Sequence, residues 1–249
     1  MNKIALVGYG QMGKLLQKLA PEYNAEVTAI IDPLLNNKIS EQYLQNAEVC
    51  IEFTNPSAVI ENIKKIAQLK KNIVVGTTGW SDKLPEVTAI VRKYEIGLVY
   101  GANFSLGMNL FFNLTEHLSR LMNKASEYDA WGVEKHHNKK IDSPSGTAVI
   151  LSDILLKNLD SKQICQFDRI RRKINPDELH FASIRAGNIP GDHIIGFDSI
   201  ADSIEIKHSS RNRDGLAIGA LKAAQWIRNK KGMYNFNEIF EQILELDGT

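Results

Sequence analysis

The segment Val133–Val149, "VEKHHNKKIDSPSGTAV", holds two histidines, three lysines, an aspartate and a Ser-Gly-Thr turn between apolar runs. A histidine titrates near neutral pH and suits general acid work. A lysine can fix an anion or, with its proton affinity lowered, give a proton. If His136, His137, Lys139 and Lys140 follow an extended strand, alternation sends His136 and His137 to opposite sides and returns Lys140 to the side of His136. That geometry weakens where the strand ends. Pro144 breaks the chain, Ser145 can cap a helix, and the amides of Gly146 and Thr147 become donors suited to a carboxylate. The segment thus offers a proton donor beside an anion cradle. Three other readings compete. His136 and His137 with Asp142 could bind a metal, but adjacent ligands rarely converge on one ion, so none is expected. "HHNKK" could be a solvated basic loop or touch nucleic acid, but no wider basic surface accompanies it. A plain helix cap is compatible with function.

A second chemical feature stands at the start of the chain. Gly8-Tyr9-Gly10-Gln11-Met12-Gly13 is a G-x-G-x-x-G that follows a strand and opens a helix, with Asp32 nineteen positions beyond Gly13. Glycines let the backbone turn tightly and approach a pyrophosphate, whose charge is received by amides at the helix N-terminus. Asp32 is placed to accept from the adenosine ribose hydroxyls. A carboxylate there repels a 2′-phosphate, and Pro33 follows where an NADP site would often place an arginine. The expected cofactor is therefore NADH or NADPH with a lean to NADH, although Lys14 and Lys38 could reach a phosphate. "GTTGW" (Gly76 to Trp80) and "YGANFSLG" (Tyr100 to Gly107) each follow a predicted parallel strand, so both should line the crevice beyond the strand ends, with Thr77 and Thr78 offering hydroxyls and Asn103 an amide. Later, Arg185 and His193 flank a turn, and His208, Arg211 and Arg213 precede the tail helix. Structural ion pairing is the commoner fate of such residues, and Arg213 is the candidate for a supporting role near the cleft.

These residues need positioning elements, and the pattern supplies them. "KIALVG", "EVTAII", "EVCIEF", "NIVVGT" and "IGLVYG" alternate with helical or loop segments, the rhythm of a parallel sheet covered on both faces. From about Phe104 the rhythm changes. "SLGMNLFFNLTEHLSRLMNKA" reads as a long helix, "EYDAWGVEKHH" as extended chain, and a second helix should start near Gly146. "HFASIRAG", "HIIGFDSI" and "SIEIKHSS" then read as strands joined by turns, hence a mixed or antiparallel sheet. The tail, "GLAIGALKAAQWIRNK" and "NFNEIFEQILE", is helical and could pack back on the first domain. The chain has 249 residues, 43% hydrophobic and 24% charged, with a net charge of +1, so no global field favours nucleic acid or an anionic membrane. Cys50 and Cys165 make no disulfide framework, the N-terminal apolar run is too short for a signal sequence, and no run of 18 apolar residues occurs. A cytoplasmic, soluble protein with no membrane association is expected.

Taken together, "VGYGQMG", "GTTGW", "GANFSLG", "EKHHNKKIDSPSGTA", "SIRAGNIPGDH" and "GALKAAQW" resemble, in order and over nearly the whole chain, the 4-hydroxy-tetrahydrodipicolinate reductase (dihydrodipicolinate reductase) family of lysine and diaminopimelate synthesis. The His-His-x-x-Lys-x-Asp-x-Pro-Ser-Gly-Thr block is far more specific than the glycine loop. The resemblance implies an α/β fold: a Rossmann-type parallel-sheet cofactor domain, residues 1–104 completed by 214–249, and an α+β substrate-binding and tetramerisation domain with a mixed sheet, residues 105–213. It implies a homotetramer. His136 would be the catalytic proton donor and Lys140 a second donor that also holds substrate. His137, Ser145, Gly146 and Thr147, with Thr78, would bind a small dicarboxylate. Gly8, Tyr9, Gly10, Gln11, Met12, Gly13, Asp32, Gly76, Thr77, Thr78, Gly101, Ala102, Asn103 and Phe104 would bind the dinucleotide. The implied reaction is hydride transfer to C4 of a cyclic conjugated imine, with loss of the 4-hydroxyl as water and protonation of the resulting enamine. Departures from the family pattern are small: a short stretch between Asp32 and the third strand, Asp-Pro at the cofactor-selecting position, Ser143 where Ala is frequent, and Asn188 where Asp is frequent. A different two-domain dehydrogenase would not need the His-His-x-x-Lys and Ser-Gly-Thr constellation. A nucleotide sensor without catalysis would tolerate loss of His136 and Lys140.

Overall fold

The computed structural model describes residues 1–247. The chain divides into two compact units, one made of Met1–Leu106 and the chain from Arg213 onward, the other of Gly107–Asn212.

In the first unit, the short apolar runs become β1 (Asn2–Val7), β2 (Ala25–Ile31), β3 (Val49–Glu52), β4 (Asn72–Val75) and β5 (Gly97–Tyr100). Between them lie the helices α1 (Gln11–Leu19), α2 (Glu41–Leu44), α3 (Val59–Gln68) and α4 (Leu84–Tyr94). Successive side chains of a strand point to opposite faces, and both faces here are apolar. Ile4, Leu6, Val49 and Ile51 feed one core, whereas Ala5, Val7 and Cys50 feed the other. Every strand pairing is parallel, in the order β11-β5-β4-β3-β1-β2, where β11 is the late segment Gly232–Asn235. The order reverses at β1, which puts a crevice beyond the carboxyl ends of β1 and β3.

The tail is more than helical. After α5 (Leu106–Met122), β6 (Asp129–His136), α6 (Gly146–Asn158), β7 (Ile164–Gln166), β8 (Glu178–Arg185), β9 (Asp192–Asp198) and β10 (Ser203–Ser209), the chain forms α7 (Asp214–Ile227) and returns to the first sheet as β11 (Gly232–Asn235), followed by α8 (Phe240–Leu244). The sequence pattern hides β11 because "GMYN" is only half-buried at a sheet edge and lacks a β-branched run. Helix α7 fills one face of the sheet with Ala217, Ala220, Leu221, Ala224 and Ile227.

The second unit is a five-stranded mixed sheet, β10-β9-β6-β8-β7. β6 lies at its centre, antiparallel to β9 and parallel to β8. One face packs on α5 and α6 through Phe111, Leu151, Leu155, Phe181, Ile195 and Phe197. Alternation along β6 leaves Ala130, Gly132, Glu134 and His136 on that buried face. Polar residues that share a covered face must find partners there, and this requirement shapes the site.

Close packing in the first unit yields a testable consequence. A Cβ built on Gly219 of α7 would lie 1.7 Å from the carbonyl oxygen of Phe104, a backbone atom that cannot swing aside. Ala in a helix is ordinarily better than Gly by about 1 kcal/mol. Overpacking costs about 1–3 kcal/mol, and more when backbone must move. Gly219→Ala is therefore expected to lower the urea midpoint of unfolding; a raised midpoint would show that the helix tolerates the added methyl.

Candidate active site

In the second unit the site is organised by Glu134, whose side chain is fully buried on β6. Sheet register sets its neighbours: Glu134 lies opposite Ser183 on β8 and His193 on β9, and His136 lies opposite Arg185. Glu134 Oε1 accepts from the backbone N–H of Ser145 at 3.0 Å, the Ser183 hydroxyl at 2.7 Å and the Arg185 guanidinium at 2.7 Å. Oε2 faces His136 Nε2 at 3.3 Å and His193 Nε2 at 3.6 Å. Burial pushes the carboxyl up, but its contacts with His193, Ser145, Arg185 and Ser183 outweigh this and hold it far below the usual carboxylate range. It is an anion at any working pH.

His136 itself is 9% exposed and closes β6. Burial pushes its imidazole below the ordinary histidine range. Glu134 opposes that shift, while His193, Lys140 and Arg185 add to it. The rings of His136 and His193 meet edge to face, centroids 5.2 Å apart. Gly191 makes room for them, since a Cβ there would lie 2.9 Å from His136 Cε1. Lys140, in the turn after β6, is held by both carboxylate oxygens of Asp142, at 2.7 and 2.8 Å. His137 is half-buried, with Nδ1 enclosed and without a partner.

Ser145 caps α6 through its hydroxyl, which accepts from Ala148 N–H at 3.1 Å and lies 3.4 Å from His193 Nε2. Gly146 is exposed, and the N–H groups of Gly146 and Thr147 lie in the first turn of the helix, ahead of its i→i−4 ladder. The backbone N–H of Ser145, just before them, ends on Glu134, so one carboxylate ties the start of α6 to the histidine cluster. Glu134, His136 and His193 also bring ligand-type atoms within 4.8 Å of one another. A dication there would meet Arg185, which already compensates the carboxylate at 2.7 Å, so the charge balance disfavours it.

The first unit carries the dinucleotide candidates. Gly8 has a φ of +94°, and a Cβ there would lie 2.2 Å from the Phe53 carbonyl oxygen. Gly13 packs on the Gly8 carbonyl with equally little space. The N-cap of α1, Gly10, supplies no side-chain bond, the first turn has no acidic residue, and nothing lies within 4 Å of the Gly10 Cβ position. Amides free to receive a pyrophosphate and an open approach to them fit a dinucleotide. Asp32 accepts from Tyr9 N–H at 2.7 Å and from Leu34 N–H at 2.9 Å, tying the end of β2 to the glycine loop. Arg213 donates to the Gln11 side chain and so puts a cation at the same loop.

The other candidates divide by exposure. Thr78 and Ala102 are exposed, and Gly76 is half-buried. Thr77 is buried, and its hydroxyl oxygen takes the Thr54 N–H at 2.8 Å, pinning the turns after β3 and β4 together. Gly101 is buried, Asn103 accepts from Ser105 N–H at 2.8 Å, and the Phe104 ring is committed to the core against Phe236, centroids 4.7 Å apart. Glu134 carries no role in the motifs read from the sequence, although it stands two residues before His136 in a strand and so on the same face. Period-two alternation alone could have found it.

Among the described residues, no helix is long and apolar enough to cross a membrane. Residues 2–104 match the family model for the dihydrodipicolinate reductase N-terminus, and residues 107–240 match that for its C-terminus. The chain is 31% identical to a 4-hydroxy-tetrahydrodipicolinate reductase of Christiangramia forsetii, over 97% of this chain and 99% of the relative. A reductase of the same name from Buchnera aphidicola subsp. Schizaphis graminum is 32% identical, over 97% of each chain. The fold is similar to that of a dipicolinate-bound dihydrodipicolinate reductase from Paenisporosarcina, with a TM-score of 0.72 at 21% identity over 96% of this chain and 99% of that one. With both halves matched and relatives of this identity aligned from end to end, the chain belongs to the dihydrodipicolinate reductase family.

Proposed function

We propose that the protein reduces 4-hydroxy-tetrahydrodipicolinate to tetrahydrodipicolinate, with loss of water, on the diaminopimelate route to lysine in the cytoplasm. The observation that carries this reading is the buried His136 joined through Glu134 to the start of α6. An acid at the end of β6 and an anion seat at the start of α6, both tied to Glu134, match a cyclic dicarboxylate that must take up a proton. A nicotinamide held by the first unit would supply the hydride taken up at C4 of the ring. Gly146 and Thr147 N–H groups, with His137, Ser145 and Thr78, hold the carboxylates. Lys140 exchanges Asp142 for substrate and stabilises the negative charge that develops. His136 gives its proton to the carbon adjacent to C4.

In the cofactor unit, Gly8, Tyr9, Gly10, Gln11, Met12 and Gly13 would hold the pyrophosphate and Asp32 the ribose hydroxyls, and Gly76 to Thr78 with Gly101 to Phe104 would hold the nicotinamide end. Asp32, already fixed by two backbone amides, supports a lean to NADH. Phe104 contributes its backbone, since its ring is in the core.

A homotetramer is supported by the uncovered face of the mixed sheet, where Trp131 and Val133 are half-buried and Ile184 is 44% exposed in the single chain. Such an apolar face calls for a partner.

Three measurements test this reading. Fresh protein given enzymatically generated precursor should oxidise NADH or NADPH in step with substrate, and His136→Gln should depress turnover by roughly 10² or more; no substrate-dependent oxidation would reject the reaction, and unchanged turnover would move the proton donor elsewhere. The ratio of kcat/KM for NADH to that for NADPH should exceed one, and a strong NADPH preference would defeat the role given to Asp32. Light scattering on the eluting protein should return four chain masses, with a monomer excluding the assembly.

A further inference from the structure

Glu134 Oε1 is saturated by Ser145, Ser183 and Arg185, whereas Oε2 has no hydrogen-bond partner among the described residues and is turned toward two imidazoles. A buried carboxylate oxygen left without a bonded donor is costly unless it acts on a neighbouring charge. The groups that face His136 are Glu134 on its own strand, Arg185 from β8, His193 from β9 and Lys140 from the following turn. Among them Glu134 is the one anion; Arg185 and Lys140 are cations, and His193 either adds positive charge or none. Burial and three of these four neighbours strip the proton from His136, so an acid placed there needs the fourth.

We propose that Glu134 is the positioning residue of the proton-transfer step: it holds the Nε2–H of His136 toward its own Oε2, favours the charged form of the ring, and leaves Nδ1–H as the bond that breaks when the enamine carbon takes the proton. The electron pair of the enamine forms the new C–H bond, the pair of the broken N–H bond stays on Nδ1, and His136 is left neutral with Nε2–H still on the carboxylate. His193, at 3.6 Å from the same oxygen, shares the anion. Because Oε1 also holds Ser145 N–H, one side chain fixes the donor relative to the carboxylate seat.

This inference rests on His136 as the proton donor, and its test is arranged to separate the two. The histidine signals of the full-length protein are titrated by NMR without substrate or cofactor, in wild type and in Glu134→Gln, with His136→Gln assigning the signal. The amide oxygen of Gln can still accept from Ser145, Ser183 and Arg185, while the negative charge and the acceptor oxygen facing His136 are both lost. His136 is expected to titrate about one pH unit or more lower in the variant. In the assay, the alkaline fall in turnover should start at correspondingly lower pH, and kcat should drop about tenfold or more near neutrality with a smaller change in KM. Glu134→Asp keeps the charge at a longer reach, so it should restore part of both effects, and it carries the titration if the Gln variant does not fold. An unchanged His136 titration in a folded variant overturns the proposal. A shifted titration beside a wild-type protein that fails to reduce the precursor keeps the hold of Glu134 on the His136 ring but rejects the reaction, and with it the proton-transfer role.

Discussion

An anion sealed from water must either take a proton or gather donors, and Glu134 gathers them. Its environment sets the architecture of the second unit. Three strands contribute: β6 carries the carboxylate and His136, β8 brings Ser183 and Arg185, and β9 brings His193. A one-residue slip of either neighbour would turn those partners to the opposite face and leave a buried charge uncompensated, at a cost of several kcal/mol. The register is thus enforced by electrostatics as well as by apolar packing. α6 is brought into the same arrangement because its Ser145 amide ends on the carboxylate.

Much of this was legible in the residues. Apolar runs with β-branched residues marked the first five parallel strands, since a strand covered on both faces has no polar side to confuse the reading. Ser145 was readable as a cap and Gly146 and Thr147 as donors, because capping is local chemistry. Asp32 was readable for the same reason, its distance from Gly13 being fixed by one crossover unit. Local rules reached the functional groups that carry their own short-range signature.

What stayed hidden depends on pairing between distant segments. β11 has no pattern of its own and exists because Gly232–Asn235 finds the edge of β5. Thr77 looked like a ligand hydroxyl and is also a strut between two turns, which its neighbours in sequence do not reveal. Phe104 looked like part of a cofactor turn, yet its ring joins Phe53 and Phe236 in the core. The partners of Glu134 come from positions 49 and 59 residues away along the chain, Ser183 and His193, so only the register of the sheet could name them.

The discontinuity of the first unit bears on how the chain is made. The second unit is contiguous, from Gly107 to Asn212, and its strands and helices are all available once that stretch has left the ribosome. The first unit has no such independence. Its sheet lacks the edge strand β11 and one face lacks α7 until the last segment is synthesised, so Leu6, Val49 and Ile51 stay without that cover in the nascent chain. The domain that begins first is the one that finishes last, and for the length of translation its apolar sheet face is a surface for chaperones to shield.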